Sequence, residues 1–166
     1  HYLLGDVYYD RGDMRAAEEE FKRAIELDED YVDAYAFLGL VYSKEGKLEE
    51  AIVKYKEALD IDPNYAYSHF ALGNAYREQG YLSKAVVEFK RAYELDPNYV
   101  PAYYNLGDVY YRMGKLGEAA AEFRKAIELK DDYVDAHAYL GLVYQELGEI
   151  DKAITEYQRT IVLDPN

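Results

Sequence analysis

Glycine recurs in this chain at an interval of 34 residues, and this interval restricts the fold more than any other feature. One series runs Gly5, Gly39, Gly73, Gly107 and Gly141, and a second runs in step with it as Gly12, Gly46, Gly80, Gly114 and Gly148. A fixed period of this length is the signature of a repeat array, in which each unit packs against its neighbours along the chain. The sequence therefore predicts one structural unit repeated along the whole chain.

Each unit is predicted to be a pair of amphipathic helices. When the first glycine series is numbered position 8, position 7 is always leucine, position 11 tyrosine, position 20 alanine, and position 24 phenylalanine or tyrosine. Positions 4, 7, 8 and 11 follow helical spacing, and so do positions 20, 24, 27 and 28. The glycine at position 15 is expected to end the first helix in a left-handed conformation. The turn Asp-Pro-Asn-Tyr at 62–65 and 96–99 ends the second helix, because proline cannot continue it.

The small invariant residues predict close contact between the two helices of a unit. Glycine at position 8 and alanine at position 20 let the helix backbones approach, and the aromatic residue at position 24 fills the space beside them. One helix pair cannot bury its apolar face alone, so stacked neighbours must supply the core. We expect a single array of five repeats, at about residues 1–31, 32–65, 66–99, 100–133 and 134–166.

The pattern of invariant residues resembles that of the tetratricopeptide repeat family. Leu106-Gly107, Tyr110, Ala119 and Phe123 stand at the offsets that this family uses. The family's proline follows at Pro63, Pro97 and Pro165. The resemblance covers the whole chain and implies an all-α fold, a right-handed α-solenoid of five tandem 34-residue helix-turn-helix repeats. It also implies a non-enzymatic protein-interaction scaffold.

Composition excludes several classes of partner. The chain has 19 Lys and Arg residues against 33 Asp and Glu residues, a net charge of −14. Nucleic-acid binders need cationic surface to displace counterions from phosphates, so we expect no nucleic-acid partner and no binding to anionic membrane surfaces. No apolar run approaches the roughly 18 residues that a membrane span needs, and no signal peptide is visible. The cytoplasm is the default expectation for its location.

No constellation of residues indicates catalysis, a metal or a cofactor. The chain has no cysteine, which excludes disulfides, thiolate zinc sites and a cysteine nucleophile. His1, His69 and His137 share position 4, two repeats apart, which is too far for one ion. An aromatic packing position filled by imidazole is the simpler interpretation. We therefore predict no enzyme activity, no bound metal and no cofactor.

The resemblance implies where a partner would bind. In the family, positions 2, 5, 6, 9, 12 and 13 of the first helix line the concave groove of the superhelix. We call these the groove positions. They carry eight aromatic residues here: Tyr2, Tyr9, Phe37, Tyr67, Phe70, Tyr104, Tyr111 and Tyr139. Exposed aromatic clusters commonly mark binding sites. The alternative is that several of these rings pack between neighbouring helices and only tighten the stack.

Charged residues at the groove positions indicate the chemistry of the partner. Seven are acidic, namely Asp6, Asp10, Asp33, Glu78, Asp108, Asp135 and Glu146, and three are basic, namely Lys44, Arg77 and Arg112. A partner protein or peptide with basic and apolar side chains is favoured, although Arg77 or Arg112 could hold a carboxylate. The predicted peptide-binding residues are Tyr67, Phe70, Asn74, Arg77, Tyr104, Asn105, Asp108, Tyr111 and Arg112.

Two other functions fit the same sequence. The first and last repeats lack extra polar helices, so the chain is expected to be either a segment of a longer protein or one that covers these ends by self-association. Head-to-tail stacking of copies would then build closed oligomers or filaments. The chain could also be the targeting arm of a larger multidomain protein.

A longer repeat lies beneath the short one. The segment GDVYY at 5–9 returns at 107–111, and YVDA at 31–34 returns at 133–136. A block of three repeats has therefore been duplicated, according to this interpretation.

Overall fold

The chain is helical throughout, with two helices in each 34-residue period. The computed structural model describes residues 1–165, and no strand occurs in that range. The helices are α1 Tyr2–Asp10, α2 Met14–Leu27, α3 Val32–Lys44, α4 Leu48–Ile61, α5 Ala66–Glu78, α6 Leu82–Leu95, α7 Val100–Arg112, α8 Leu116–Leu129, α9 Val134–Glu146 and α10 Ile150–Leu163. The predicted all-α fold of paired helices is thus confirmed.

The turn inside each repeat depends on the second glycine series. All five of these glycines have positive φ angles, between 72° for Gly114 and 80° for Gly12. A side chain at this angle would collide with its own backbone, which is why glycine ends the first helix. In the first repeat the next helix is also capped, since the Asp13 carboxylate accepts a hydrogen bond from the Ala16 amide at 3.1 Å.

The turn between repeats keeps its geometry where proline is missing. The Tyr65 amide donates to the Asp62 carbonyl at 3.2 Å in the Asp-Pro-Asn-Tyr turn. Tyr133 makes the same bond to Lys130 at 3.1 Å, although neither the aspartate nor the proline is present there. Proline therefore favours this turn without being required for it.

The helices of a pair are in close contact at the first glycine series. A Cβ atom added to Gly107 would lie 2.8 Å from two carbons of the Phe123 ring, and one added to Gly39 would lie 2.6 Å from the Tyr55 ring. Phe123 and Tyr55 are themselves almost completely buried. The aromatic residue at position 24 therefore packs directly against the backbone of position 8, as the sequence predicted.

The chain forms two compact units. The first spans His1–Tyr81, and the second begins at Leu82. In the first unit each helix from α1 to α5 packs on the next, and α3 also contacts both α1 and α5. In the second unit the order α6 to α10 repeats this arrangement, and α7 contacts α9 directly. The first helices of successive repeats are thus neighbours within each unit. None of the helices in residues 1–165 is long and apolar enough to cross a bilayer.

Candidate peptide-binding surface

Four predicted binding residues of the second unit lie together on α7. Tyr104, Asp108, Tyr111 and Arg112 follow one another at helical spacing, so their side chains share one side of this helix. Because α9 is packed beside α7, its groove positions Tyr139 and Glu146 lie next to them. The second unit therefore has one continuous aromatic and charged surface built from two first helices.

Aromatic rings form the centre of this surface. The Tyr104 cluster consists of Tyr104, Phe123, Tyr133 and Tyr139. The Tyr104 ring centroid lies 5.0 Å from that of Tyr133, 5.7 Å from that of Phe123 and 5.8 Å from that of Tyr139. Such spacing is typical of edge-to-face aromatic packing. Phe123 is fully buried, whereas the three tyrosines are half-buried. The rings therefore pack against one another, as the alternative interpretation expected, and their role in binding stays a prediction.

The tyrosine hydroxyls of the cluster lie in an anionic environment. Burial raises the pKa of Tyr104 well above its usual range, and Tyr139, Asp135 and Asp108 raise it further. The pKa of Tyr133 is raised by burial and then by Asp135. A phenol near carboxylates resists ionisation because the second negative charge is repelled. Both hydroxyls therefore stay protonated to a higher pH than that of an ordinary tyrosine.

Two contacts between polar side chains lie on this surface, one an ion pair and the other a hydrogen bond. The Arg112 Nε atom lies 3.1 Å from both oxygens of Asp108, whose side chain is 8% exposed while that of Arg112 is 52% exposed. The Tyr111 hydroxyl donates to Glu146 Oε1 at 2.5 Å, and this bond is the main reason that the pKa of Tyr111 is raised. Arg112 is thus held by its Nε atom while most of its guanidinium reaches solvent.

Asn105 and Asp108 are more buried than the sequence suggested. Asn105 is 9% exposed and Asp108 is 6% exposed, and both side chains take part in further interactions. Sequence spacing placed them on the groove side of α7, but it could not show how closely neighbouring helices approach them. Their contact with a partner stays a prediction.

The other predicted residues lie on α5 in the first unit. Tyr67 stacks on Phe37, with 5.7 Å between the ring centroids and 24° between the ring planes. The rings of Tyr65 and Tyr67 form a T-shaped pair with 6.1 Å between their centroids. Phe70, Asn74 and Arg77 are half-buried, and each has interactions of its own. The prediction that α5 contributes to a binding surface therefore stands as a hypothesis. Tyr67 already packs on Phe37 of α3.

The first unit contains a second copy of the aromatic cluster. Its members are Tyr2, Phe21, Tyr31 and Phe37, which stand 102 residues before those of the Tyr104 cluster. The Tyr2 centroid lies 5.2 Å from Tyr31, 5.4 Å from Phe37 and 5.8 Å from Phe21, so the geometry is the same in both copies. The duplication noted in the sequence thus reproduces a three-dimensional arrangement.

Sequence reasoning missed one type of member in both clusters. Tyr31 and Tyr133 belong to the turn between repeats, at position 34, and were assigned no role beyond that turn. The signal was present, because position 34 is tyrosine at all four turns between repeats: Tyr31, Tyr65, Tyr99 and Tyr133.

The histidines at position 4 form polar contacts. His137 is buried, and its Nδ1 atom lies 2.7 Å from Glu156 Oε2 while its Nε2 atom lies 3.0 Å from the Asp131 carbonyl oxygen. His1 makes the corresponding contact with Glu20 at 2.6 Å. The imidazoles of His1 and His137 therefore link the two helices of their repeats. Among residues 1–165, no group of three or more potential metal ligands lies close enough to hold an ion.

Comparison with known families now identifies the repeat. A model described as TPR repeat matches residues 5–46, 39–80, 73–114 and 107–148, and one described as Tetratricopeptide repeat matches residues 134–166. The chain belongs to the tetratricopeptide repeat family. A comparison with curated protein sequences finds no match.

Solved structures of tetratricopeptide repeat proteins have the same fold. A crystal structure of MamA matches 98% of this chain and 95% of its own, with a TM-score of 0.88 and 28% identity. A thermophilic repeat protein from Thermus thermophilus, TTC0263, matches 99% of this chain and 90% of its own, with a TM-score of 0.77 and 26% identity. YrrB, described as a TPR protein with an unusual peptide-binding site, matches 99% of this chain and 85% of its own, with a TM-score of 0.80 and 23% identity. At that identity the likeness to YrrB concerns the fold alone.

Proposed function

We propose that this protein is a non-enzymatic scaffold that binds a peptide or helix of a partner protein at its groove positions. The observation that carries the proposal is the surface of α7 and α9, where half-buried tyrosines adjoin a largely exposed arginine and several carboxylates. Tyrosine and arginine are the side chains that most often contribute binding energy at protein interfaces. Membership of the tetratricopeptide repeat family supports the same function, since such repeats present surfaces for protein partners.

The surface is better suited to a peptide than to a small substrate. Its side chains are aromatic rings and paired charges spread along two neighbouring helices. An extended or helical segment could lay apolar side chains on the rings while its polar groups reach Arg112 and Glu146. Chemical selectivity then comes from the charged residues, and contact area comes from the tyrosines.

A phage-displayed library of random peptides tests this proposal. Peptides selected on the wild-type chain are synthesised, and their affinities are measured for Tyr104→Ala, for Arg112→Gln and for the control Tyr81→Ala. Tyr81 is 53% exposed and lies outside the groove positions, so the control removes an equally large accessible ring. We expect weaker binding by the two groove variants and unchanged binding by the control.

Circular dichroism shows whether each variant is folded, so that a loss of structure is not mistaken for a loss of binding. Arg112→Gln retains a hydrogen-bond donor for the buried Asp108 carboxylate, so this variant should fold even if Tyr104→Ala loosens the cluster. Selected peptides that bind both folded groove variants as tightly as the wild type would show that the groove assignment is wrong.

A second function, self-association, is supported by an exposed apolar face on α1. Leu4 and Val7 are 42% and 52% exposed, whereas their counterparts Leu38 and Val41 in α3 are 1% and 0% exposed. The equivalent side chains of α3 are thus almost completely buried. We propose that a second copy of the chain covers the exposed face of α1 in solution.

Light scattering as a function of concentration tests self-association. Leu4→Glu combined with Val7→Glu should abolish the rise in molar mass, because burying two carboxylates is costly. Leu27→Glu serves as the control, since Leu27 is 63% exposed at another site. A strictly monomeric wild-type chain at high concentration would rule this function out.

A further inference from the structure

Two lysine side chains converge on Tyr110 in the second unit. The Lys90 Nζ atom lies 5.9 Å from the centroid of the Tyr110 ring, and the Lys115 Nζ atom lies 5.8 Å from it. Lys90 belongs to α6 and Tyr110 to α7, while Lys115 directly precedes α8. Glu122 acts on Lys90 without forming an ion pair, and neither lysine is ion-paired to any residue in 1–165. Two positive charges therefore lie beside one tyrosine and lack a carboxylate partner among these residues.

The first unit contains the same two lysines and tyrosine, two repeats earlier in the sequence. The residues that correspond to Lys90, Tyr110 and Lys115 are Lys22, Tyr42 and Lys47. In this unit a carboxylate lies among them. Glu18 Oε1 accepts a hydrogen bond from Lys22 Nζ at 2.5 Å and another from the Tyr42 hydroxyl at 3.1 Å. The first unit therefore shows that this lysine and this tyrosine hydroxyl together hold a glutamate side chain.

Both lysines of the first unit are neutralised from within the chain. The hydrogen bond from Lys22 is the main reason that the pKa of Glu18 is lowered, so Glu18 is bound as a carboxylate. The Lys47 Nζ atom lies 5.5 Å from the centroid of the Tyr42 ring and pairs with Glu45 at 2.8 Å. Charge-assisted hydrogen bonds of this kind are about twice as strong as those between neutral groups. The first unit thus supplies one carboxylate for each lysine.

The second unit keeps the lysines and the tyrosine but replaces both carboxylates with apolar side chains. Val86 stands where the first unit has Glu18, and Met113 stands where it has Glu45. Val86 is half-buried, so solvent reaches the position from which Glu18 extends its carboxylate. Because both acids are absent and both lysines remain, a carboxylate from outside the chain can neutralise the positive charge at this position.

We propose that Lys90, Tyr110 and Lys115 bind the carboxylate of an acidic side chain from a partner protein. This carboxylate takes the place that Glu18 fills in the first unit. The hydrogen bond between Lys90 and the Tyr110 hydroxyl raises the pKa of Lys90, so its ammonium group stays charged. The three residues lie outside the groove positions, so this site does not depend on the proposed peptide-binding function. The net charge of −14 repels an acidic segment at long range, so binding depends on these short-range contacts.

A defined probe tests the site without a natural partner. N-acetyl-glutamate methylamide is titrated into the full chain while the ring proton signals of Tyr110 are followed by NMR. N-acetyl-glutamine methylamide has nearly the same shape without the charge and serves as the matched probe. We expect the glutamate probe to shift the Tyr110 signals and the glutamine probe to leave them unchanged. The absence of a shift with the glutamate probe up to its solubility limit would overturn the proposal.

Three variants locate the carboxylate. Val86→Glu should fill the site from within the chain and abolish the response of Tyr110 to the glutamate probe. Val87→Glu adds the same charge at the next residue, which is 63% exposed, and should leave most of the response intact. Glu18→Val should have the opposite effect in the first unit, where the Tyr42 signals should begin to respond. Equal responses of Val86→Glu and Val87→Glu would show that the site is wrong.

A peptide selection distinguishes a partner side chain from a small free acid. Peptides with one fixed glutamate among random residues are selected on the wild-type chain, and those that also bind Val86→Glu are discarded. Replacing the fixed glutamate with glutamine should then lower affinity about tenfold. If the peptides tolerate glutamine while the probe still shifts the Tyr110 signals, the site takes small carboxylates and the partner assignment is wrong. Tyr104→Ala should leave these affinities unchanged, so failure of the groove assignment does not affect this result.

Discussion

A methyl group added at Gly107 should destabilise the fold, whereas the same change at Gly117 should stabilise it. Gly107 lies in the interior of α7, where alanine is favoured over glycine by about 1 kcal/mol, and Gly117 lies in the first turn of α8, where the gain is smaller. The two positions differ in their surroundings. A Cβ atom at Gly117 meets nothing within 4 Å, while one at Gly107 would lie 2.8 Å from two ring carbons of Phe123.

The magnitude follows from the packing of that ring. Phe123 is fully buried, and Tyr104 and Tyr139 each lie with their ring centroids 5.7 Å from its own, so it has little room to move. Overpacking a core of this kind costs about 1–3 kcal/mol. The gain in helix propensity at Gly107 offsets part of this cost, so Gly107→Ala should be net destabilising only where the cost exceeds about 1 kcal/mol, and it should be less stable than Gly117→Ala.

Urea unfolding followed by far-ultraviolet circular dichroism and by tyrosine fluorescence measures both variants. The two probes must give coincident transitions, since repeat arrays do not always unfold as one unit. A further variant with Phe123→Leu removes the ring edge, so adding Gly107→Ala to that background should cost much less. Equal stabilisation by Gly107→Ala and Gly117→Ala would refute the close contact, and so would a zero coupling with Phe123.

Three further predictions concern stability. The Ser68 hydroxyl is buried without a hydrogen-bond partner among the described residues, so Ser68→Ala should raise the free energy of unfolding by about 1 kcal/mol. Ala102→Ser, at the equivalent buried position, should lower it. If both substitutions changed the free energy of unfolding in the same direction, this account would be contradicted. Asp13→Ala should cost about 1 kcal/mol in urea unfolding because it removes the cap of α2, while Asp13→Asn retains an acceptor and should cost less. Burial raises the pKa of Tyr55 to about 12, above its ordinary value of about 10, so its neutral form contributes stability that is complete below about pH 10 and is lost as pH rises toward 12. Unfolding measured across this range should therefore show a shallower decline for Tyr55→Phe, and an identical decline would exclude the contribution.

The sequence by itself determined the repeat and the local geometry of each unit. The 34-residue glycine series predicted where helices end, and the five φ angles of 72° to 80° confirm it. The pairing of position 8 with position 24 also followed from the pattern, as the contact between Gly107 and Phe123 shows. These features are readable because they depend on residues within one unit, where helical spacing fixes which side chains share a face.

Tertiary structure alone decided how the candidate surface is assembled. Tyr104 meets Tyr139 only because the next repeat lies against its own, and Tyr111 meets Glu146 for the same reason. The burial of Asp108 was likewise hidden, since spacing gives the direction of a side chain but not the distance to the neighbouring helix. Which groove residues are exposed depends on contacts between repeats. Those contacts depend on the combined volumes of side chains from several positions, so they cannot be read from any one position of the sequence.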